Sequence, residues 1–513
     1  MDTKQYVNKK QLENKIDRNK TILKETFNKS QDYISREISL GNGKYKILIN
    51  FFDGLADSKY INDFIIETIL NHEKHILLNF IENGPEGVLN VFFNTAISSS
   101  SISKTKSLSE IYLNLIEGNT VIIFDGINEA FIVPTPGWKD RGVGETTVNN
   151  VIRGPRESFT ETLRTNTALI RRRIKDESLC CEQIRIGNMT KTIVALMYLD
   201  GEVDENVLSL LKERLNKIDI KGILETGNIE EFITEEMYTP FPTAFNSERP
   251  DTVAANILEG KVAIVVDGTP FVLTVPALFS EFFTSADDYY NKWDISSAVR
   301  LLRYLAFFIA LLGPSVYIAL TTFHQEMIPT QLLMSLAAQR EGVPFPAFVE
   351  ALIMEATFEV IREAGLRMPK PLGQAISIVG ALVIGQSAVE AGFVSAAMVI
   401  VVAITALSSI VFPAYNMAIP VRMLRFLMMS LAASFGLFGI AVGLFTLLIH
   451  LTSIRSFGVN YMIPYAPNSK YLLRDTLIRA PYKSFNKEIQ NSNIKFKPIV
   501  LNTPRDSNDN EKN

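Results

Sequence analysis

The chain has 513 residues, of which 47% are hydrophobic and 21% charged, and its formal net charge is −4. A chain this long usually forms more than one hydrophobic core, so we expect several structural units. The negative charge balance excludes the basic footprint that nucleic-acid-binding domains carry. The sequence has no phosphate-binding loop, serine-hydrolase elbow or zinc-ligand spacing, so we predict no enzyme, no cofactor and no metal site.

Residues 1–44 are polar and rich in lysine. They lack the apolar core of a signal peptide, which predicts that the N-terminal region stays in the cytosol. We interpret this range as a polar tail that is flexible or loosely helical.

An internal repeat follows. Leu115–Pro134 (LIEGNTVIIFDGINEAFIVP) and Ile257–Pro276 (ILEGKVAIVVDGTPFVLTVP) share Glu-Gly, Asp-Gly and Val-Pro pairs at the same spacing. Upstream, Ile47–Gly54 is similar to Ile193–Gly201, and each segment ends in Asp-Gly. Asp-Gly pairs suit tight turns, and the apolar runs before them are typical of strands. The predicted fold class is therefore an α/β soluble region of two tandem, similar subdomains, residues 45–136 and 181–295.

Residues 137–180 join the two predicted subdomains and include an arginine-rich helix. Arg171, Arg172 and Arg173 fall in its last turns, where positive charge is favourable against the helix dipole. A basic linker helix of this kind can face anionic lipid headgroups. An ordinary solvated face is the alternative interpretation.

Charge becomes sparse further along the chain, with only seven basic and seven acidic residues between Leu301 and Ile454. Crossing the hydrocarbon core of a membrane takes about 20 apolar residues. Four uncharged stretches reach or approach that length: Tyr304–Thr322, Ala375–Val389, Phe393–Phe412 and Phe426–Ile449. We predict an α-helical transmembrane bundle over residues 296–451, with about four spans plus re-entrant or amphipathic helices.

Residues 452–513 form a basic polar C-terminal tail, with ten basic and five acidic residues from Arg455 onward. An even number of spans places the N-terminal and C-terminal regions on the same side of the membrane. Their lysines and arginines indicate the cytoplasmic side.

Small residues recur inside the predicted spans. Gly380 and Gly385 lie in one span, and Gly439 and Gly443 lie in another. Helix faces made of such small residues let two helices approach each other closely. We interpret them as subunit or gating contacts, with ordinary packing within the bundle as the alternative.

The segment Glu341–Arg367 is too charged for a simple span and too apolar for a loop. As a helix it places Glu355, Glu359, Arg362 and Glu363 within an arc of about 100°. Charges at membrane depth usually face water, a partner or a pore, and acidic rings attract cations. We predict that this helix lines or borders a cation path. A helix lying flat at the membrane interface is the alternative.

Just upstream, Pro329 and a short apolar run are typical of a re-entrant or interfacial membrane turn. His324 and Glu326 lie in the same stretch. They form either a titratable pair or an isolated pair of surface residues.

Two strings are long and specific: TTFHQEMIPT (Thr321–Thr330) and PKPLGQAISIVGALVIGQ (Pro369–Gln386). IRGPRESFTETLRTN, ILEGKVAIVVDGTPFVLTVP and IRSFGVNYMIPYAP accompany them. On these strings, and over about residues 45–467, the chain resembles the A subunits of GerA-type nutrient germinant receptors of endospore-forming bacteria.

The resemblance implies a protein of the inner membrane of the dormant spore. It also implies assembly with a transporter-like B subunit and a lipoprotein C subunit. In that family small nutrients trigger germination, and the A subunit resembles a homo-oligomeric, nutrient-gated channel for monovalent cations. A membrane-anchored scaffold or signal-transducing subunit without its own pore is the alternative. A secondary transporter is a third hypothesis, which the lack of a visible inverted repeat disfavours.

Overall fold

The computed structural model describes residues 11–41, 43, 45–71, 73–74, 78, 102–137, 153–235, 238–367, 383–467, 473 and 475–481. The chain divides into two compact units, which we call the α/β unit and the helical unit. The α/β unit contains the chain up to Thr234 together with Ala244–Pro276. The helical unit contains Glu235–Thr243 and the chain from Ala277 to Ile489.

The first half of the α/β unit is an antiparallel sheet of five strands. The strands are β1 (Tyr33–Leu40), β2 (Tyr45–Phe52), β3 (Ser103–Thr105), β4 (Thr120–Phe124) and β5 (Ala130–Val133). The helices are α1 (Ile16–Thr26), α2 (the continuous pieces Ser58–Tyr60, Ile61–Ile66 and Glu67–Asn71) and α3 (Leu108–Ile116). In the sheet the strands lie in the order β1-β2-β4-β5-β3.

The second half repeats this arrangement. Its strands are β6 (Leu179–Ile186), β7 (Thr192–Leu199), β8 (Phe245–Ser247), β9 (Val262–Val266) and β10 (Val272–Val275). Its helices are α4 (Leu163–Arg173), α5 (Glu205–Asn216), α6 (Thr226–Ile233) and α7 (Pro250–Leu258). The strand order is β6-β7-β9-β10-β8, position for position that of the first sheet. The predicted α/β fold class with two similar subdomains is confirmed.

Both faces of each sheet are covered, and the strand sequences show why. β4 (TVIIF) and β9 (VAIVV) are buried at every residue, as is typical of strands packed on both sides. In the first sheet α2 covers one face, and α1 and α3 cover the other. Each fully buried aliphatic side chain contributes about 1.5–3 kcal/mol, so these two layers account for much of the stability of each half.

Each half begins with a helix that precedes its first strand, and two predicted boundaries are wrong for this reason. The predicted polar tail, residues 1–44, holds α1 and β1. The predicted linker, residues 137–180, holds α4 and the start of β6. Of the 11 residues of α1 only Ile16, Asn19 and Leu23 are buried. Because so few residues of α1 are buried, its composition is polar although the helix packs against the core.

The Asp-Gly turns of the repeat also cap these first helices. The Oδ1 atom of Asp125 accepts a hydrogen bond from the backbone N–H of Ile16, at 3.1 Å. Asp267 does the same for Leu163, at 3.0 Å. The first N–H groups of a helix have no partner within the helix, and a carboxylate there is also favourable against the helix dipole. The repeated aspartates therefore join the β4–β5 and β9–β10 turns to the helix that opens each half.

Arg171, on α4, lies between the two halves and is only 1% exposed. Its guanidinium binds the carboxylate of Asp32 through Nε and Nη2, and Nη1 donates to the carbonyl oxygen of Leu179 at 3.2 Å. The same group lies over the ring of Phe52, 4.4 Å from its centroid. Arg171 therefore belongs neither to a lipid-facing nor to a solvated face. Its charge is used to join the first half to the second.

The other two arginines of the predicted basic cluster have acidic partners. Arg173 binds Glu157 at 2.7 Å, and Arg172 lies 3.5 Å from the same carboxylate. Three further ion pairs connect the halves in the described part of the chain. They are Arg164–Asp53 at 2.5 Å, Lys29–Asp200 at 3.0 Å and Lys175–Glu117 at 2.8 Å.

The helical unit begins with a 3₁₀ turn, Phe279–Phe283, and continues through seven described helices. These are α8 (Asp287–Tyr290), α9 (Trp293–Thr322), α10 (Thr330–Arg340), α11 (Ala347–Arg367), α12 (Gly385–Glu390), α13 (Ala396–Ile410) and α14 (Tyr415–Ser453). A short hairpin of β11 (Arg455–Ser456) and β12 (Val459–Asn460) closes the unit. Within the described residues, α9 and α14 are long and apolar enough to cross a membrane. The predicted span Ala375–Val389 lies mostly outside those residues.

The chain reverses direction inside α14. Gly436 has φ 60° and ψ −141°, which is not helical and suits glycine best. A Cβ at Gly439 would overlap the carbonyl oxygen of Leu431, and one at Gly443 would lie 2.6 Å from Sδ of Met428. A straight helix rises 1.5 Å per residue, so residues this far apart in sequence meet only if the chain folds back. The prediction of one uninterrupted span over Phe426–Ile449 is therefore wrong.

We expect Arg171→Met to destabilise the α/β unit by about 3–5 kcal/mol, because it leaves the carboxylate of Asp32 buried without its partner. Chemical unfolding of the detergent-solubilised full chain, followed by circular dichroism, measures this. Arg172→Met is the matched control, with an expected loss below about 1 kcal/mol, since its pair with Glu157 is partly exposed. Equal losses in the two variants would contradict the assignment.

Burial, with a smaller contribution from the charge of Glu225, raises the pKa of Glu230 on α6 to about 7. The folded pKa exceeds the unfolded one, so the free energy of unfolding falls as pH rises from about 4.5 through 7. We expect Glu230→Gln to stabilise the protein by about 2 kcal/mol at pH 8 and to change little at pH 4.5. Thermal unfolding of the full chain at both pH values, with exposed Glu231→Gln as control, tests this. A gain independent of pH would argue against it.

Candidate functional site

Two ion pairs connect α11 to the first half of α14, one buried and one partly exposed, and together with Arg362 they form what we call the ladder. Its central rung joins Glu355 to Arg425 at 2.5 Å, and both side chains are 1% exposed. Nε of Arg425 also donates to the backbone carbonyl of Ala310 on α9, at 2.7 Å. One guanidinium therefore holds three helices together in the middle of an apolar bundle.

The second rung lies one helical turn further along α11. Glu359 binds Arg422 at 2.7 Å, and Nε of Arg422 donates to the carbonyl of Ala418 on its own helix at 3.3 Å. The guanidinium of Arg362 follows, 5.6 Å from the ring centroid of Tyr415. The residue numbers rise along α11 while they fall along α14, so the two helices run antiparallel.

The ladder leaves part of its charge without a hydrogen bond. Among the described residues, Oε1 of Glu355 and Oε1 of Glu359 are buried and have no hydrogen-bond partner. The same holds for Nη2 of Arg425 and Nη1 of Arg362. A buried polar atom that lacks a partner costs about 1–3 kcal/mol. The ladder therefore has hydrogen-bonding positions that the described residues do not fill.

The predicted arc of four charged residues is only partly one site. Glu355, Glu359 and Arg362 lie together against α14. The Glu363 side chain is 59% exposed and binds Arg367 of its own helix at 2.7 Å. Position on a helical wheel gives direction only, whereas the partners, Arg422 and Arg425, come from α14.

Sequence analysis missed Glu350, which is fully buried at the opposite end of the ladder. Its Oε2 accepts hydrogen bonds from the backbone N–H and the hydroxyl of Ser395, at 3.0 and 2.9 Å. Nε of Arg340 on α10 lies 3.3 Å from Oε1. Ser395 caps α13, so this carboxylate binds at a helix N-terminus. A serine before an apolar run was the available signal.

The residues of the predicted membrane turn lie between α9 and α10. Pro329 immediately precedes α10, and Glu326 is in a single 3₁₀ turn, Gln325–Met327. His324 contacts the reversal of α14, because a Cβ at Gly436 would lie 2.7 Å from its ring. No bond joins His324 to Glu326 in the described part of the chain, and Nδ1 of His324 is buried there without a partner. The turn therefore supports the α14 hairpin.

The predicted small-residue faces differ in what surrounds them. Gly439 and Gly443 lie where the two halves of α14 cross, so their contact is inside one chain. Gly385 lies next to α13, with the side chain of Val399 3.5 Å from the position of a Cβ. Gly380 lies outside the described residues.

Comparison with known proteins places the chain in a family. The model of the family described as Bacillus/Clostridium GerA spore germination protein matches residues 21–490. Spore germination protein KA of Bacillus subtilis (strain 168) is 47% identical over 460 residues, covering 90% of this chain and 83% of that protein. The uncharacterized membrane protein YfkQ of the same organism is 44% identical over 451 residues, covering 88% and 86%.

A solved structure is also similar to part of the chain. It is the N-terminal domain of the A subunit of the Bacillus megaterium spore germinant receptor GerK3, with 34% sequence identity and a TM-score of 0.41. The likeness covers 53% of this chain and 98% of that one. The sequence relationships span nearly the whole chain, which carries two candidate membrane helices. The chain belongs to the GerA family of Bacillus/Clostridium spore germination proteins.

Proposed function

We propose that the chain is the A subunit of a nutrient germinant receptor and that its helical unit forms a nutrient-gated cation channel as a homo-oligomer. The observation that carries the proposal is the ladder of Glu355 and Glu359. The Glu355 side chain is buried and the Glu359 side chain is partly buried, and each carboxylate has one buried oxygen with no hydrogen-bond partner among the described residues.

Carboxylates at membrane depth are expensive, and proteins that keep them usually place them along an ion path. Several copies of the chain around one axis repeat each carboxylate as a ring, and acidic rings select cations. Monovalent cations are therefore the expected permeant ions.

The paired arginines give this path a closed state. Arg422 and Arg425 cancel the charge of Glu359 and Glu355, so the resting ladder offers a cation little net attraction. Opening requires that the guanidinium groups move away from the path or exchange their partners. Nutrient binding elsewhere in the receptor supplies the free energy for that change.

The proposed setting is the inner membrane of the dormant spore, with both termini on the core side. The proposed partners are a transporter-like B subunit, a lipoprotein C subunit and further copies of this chain. Exposed apolar side chains on α9, among them Leu301, Leu305 and Phe308, would face lipid or those partners.

A scaffold without its own pore is the second candidate function. The size of the α/β unit favours it, because two sheets joined through Arg171 form a rigid platform for other subunits. The two candidates differ in one respect. Only the channel requires that substitutions in the ladder alter ion flux when assembly is normal.

The receptor, purified with its B and C subunits and reconstituted in liposomes, should release K⁺ when nutrient is added. We expect Glu359→Gln to lower this flux by about tenfold, a barrier change of about 1.4 kcal/mol, because one carboxylate leaves each ring. We expect Arg422→Gln to have the opposite sign and to raise K⁺ leak without nutrient. A K⁺-selective electrode measures both.

Glu363→Gln is the matched control, since that carboxylate is exposed and binds only Arg367. Its flux should equal that of the unsubstituted receptor. Absence of nutrient-evoked flux with all subunits present would reject the channel. Normal flux in Glu359→Gln and Arg422→Gln would favour the scaffold.

A further inference from the structure

Pro314 lies inside α9, one of the three helices that meet at Arg425. Proline has no backbone N–H, so it cannot donate the hydrogen bond that a helical residue gives to the carbonyl four positions earlier. In α9 that carbonyl belongs to Ala310. The proline therefore frees one backbone oxygen in the middle of a candidate membrane helix.

The freed oxygen has a partner from another helix. Nε of Arg425 donates to the carbonyl of Ala310 at 2.7 Å, and Nη1 of the same guanidinium binds Oε2 of Glu355. Ala310 is fully buried, and both charged side chains are 1% exposed. An unpartnered carbonyl inside an apolar bundle is costly, so a donor or a cation has to replace the missing N–H. The position of the proline explains why this guanidinium binds backbone as well as carboxylate.

The two groups that bind the guanidinium are also ligands for a cation. The carboxylate of Glu355 and the carbonyl of Ala310 would remain close together if Arg425 moved away. Oε1 of Glu355 is buried and already lacks a hydrogen-bond partner in the described part of the chain. Carbonyl oxygens replace the hydration shell of K⁺ in selectivity filters. One carboxylate balances one positive charge, which favours a monovalent cation over Ca²⁺, whose sites take about six to eight oxygens.

We propose that Glu355 and the carbonyl of Ala310 form a binding site for one monovalent cation, and that the Arg425 guanidinium occupies this site in the resting state. The guanidinium carries the same charge and binds the same two groups, so guanidinium and cation exclude each other. Pro314 is the positioning residue, because it exposes the carbonyl. The inference rests on the proposed channel function and names the ligands at one point of the ion path.

The first test measures binding of radioactive Rb⁺, an analogue of K⁺, to the purified full chain by equilibrium dialysis. Arg425→Met removes the guanidinium, and we expect it to bind Rb⁺ at least about tenfold more tightly than the unsubstituted chain. Arg425→Met combined with Glu355→Gln should lose this gain, because no carboxylate remains to balance the cation. Arg367→Met removes an exposed partner of Glu363 on α11 and is the matched control, with binding equal to that of the unsubstituted chain.

The second test addresses the carbonyl ligand. In the Arg425→Met background, Pro314→Ala returns an N–H to the carbonyl of Ala310, and we expect the affinity for Rb⁺ to fall by about tenfold. Pro420→Ala makes the same backbone change in α14, where the carbonyl four positions earlier belongs to Asn416. It should leave the affinity unchanged. Equal affinities in the two proline variants would remove the Ala310 carbonyl from the site and overturn the proposal.

Folding of Arg425→Met is a third readout, because the variant leaves Glu355 buried without its arginine. A cation that binds only the folded chain stabilises it. Thermal unfolding of the variant should therefore occur about 3 °C higher in KCl than in N-methyl-D-glucamine chloride of equal ionic strength. The unsubstituted chain should unfold at the same temperature in both salts. A variant that does not fold in either salt, or whose stability is independent of K⁺, would overturn the site.

Nutrient-evoked K⁺ flux through the reconstituted, unsubstituted receptor separates this site from the proposed function. If Arg425→Met binds Rb⁺ but the receptor shows no flux, the channel is rejected and the cation site stands. If the receptor shows flux but Arg425→Met binds no more Rb⁺ than the unsubstituted chain, the channel stands and the cation site is rejected.

Discussion

The ion pair between Glu355 and Arg425 is the interaction on which the helical unit depends. A single charge inside an apolar bundle costs several kcal/mol, so each of these residues requires the other. Because Arg425 also binds the carbonyl of Ala310, the pair sets the positions of α9, α11 and α14 together. One oxygen of Glu355 has no partner in the described part of the chain, and the proposal of an ion path rests on this atom and on its counterpart in Glu359.

In the α/β unit, too, a buried charge requires a partner of opposite charge. Arg171 is buried between two similar sheets, and its charge is balanced by Asp32 from the other half. The buried pair, with the ring of Phe52 against the Arg171 guanidinium, joins the two halves.

Sequence patterns predicted the architecture well because they report on burial. The Asp-Gly repeats and apolar runs predicted two similar α/β subdomains, and the low charge density after Leu301 predicted a membrane region. The sequence patterns failed in two cases. One is a helix that buries only a narrow stripe of its residues, and the other is an apolar run inside which the chain changes direction. α1 has too few buried residues to differ from a tail, and the run from Phe426 to Ile449 has no charged residue or proline to mark the reversal at Gly436.

For the candidate site, the sequence by itself determined that Glu355, Glu359 and Arg362 share one side of a helix, because the helical repeat sets direction. It also determined membership in a germination family, through long strings of matching residues. Only the tertiary structure decided that Arg422 and Arg425 face those carboxylates and that Arg171 is buried. Such contacts join residues far apart in the chain, and local periodicity carries no information about which distant side chain supplies the opposite charge.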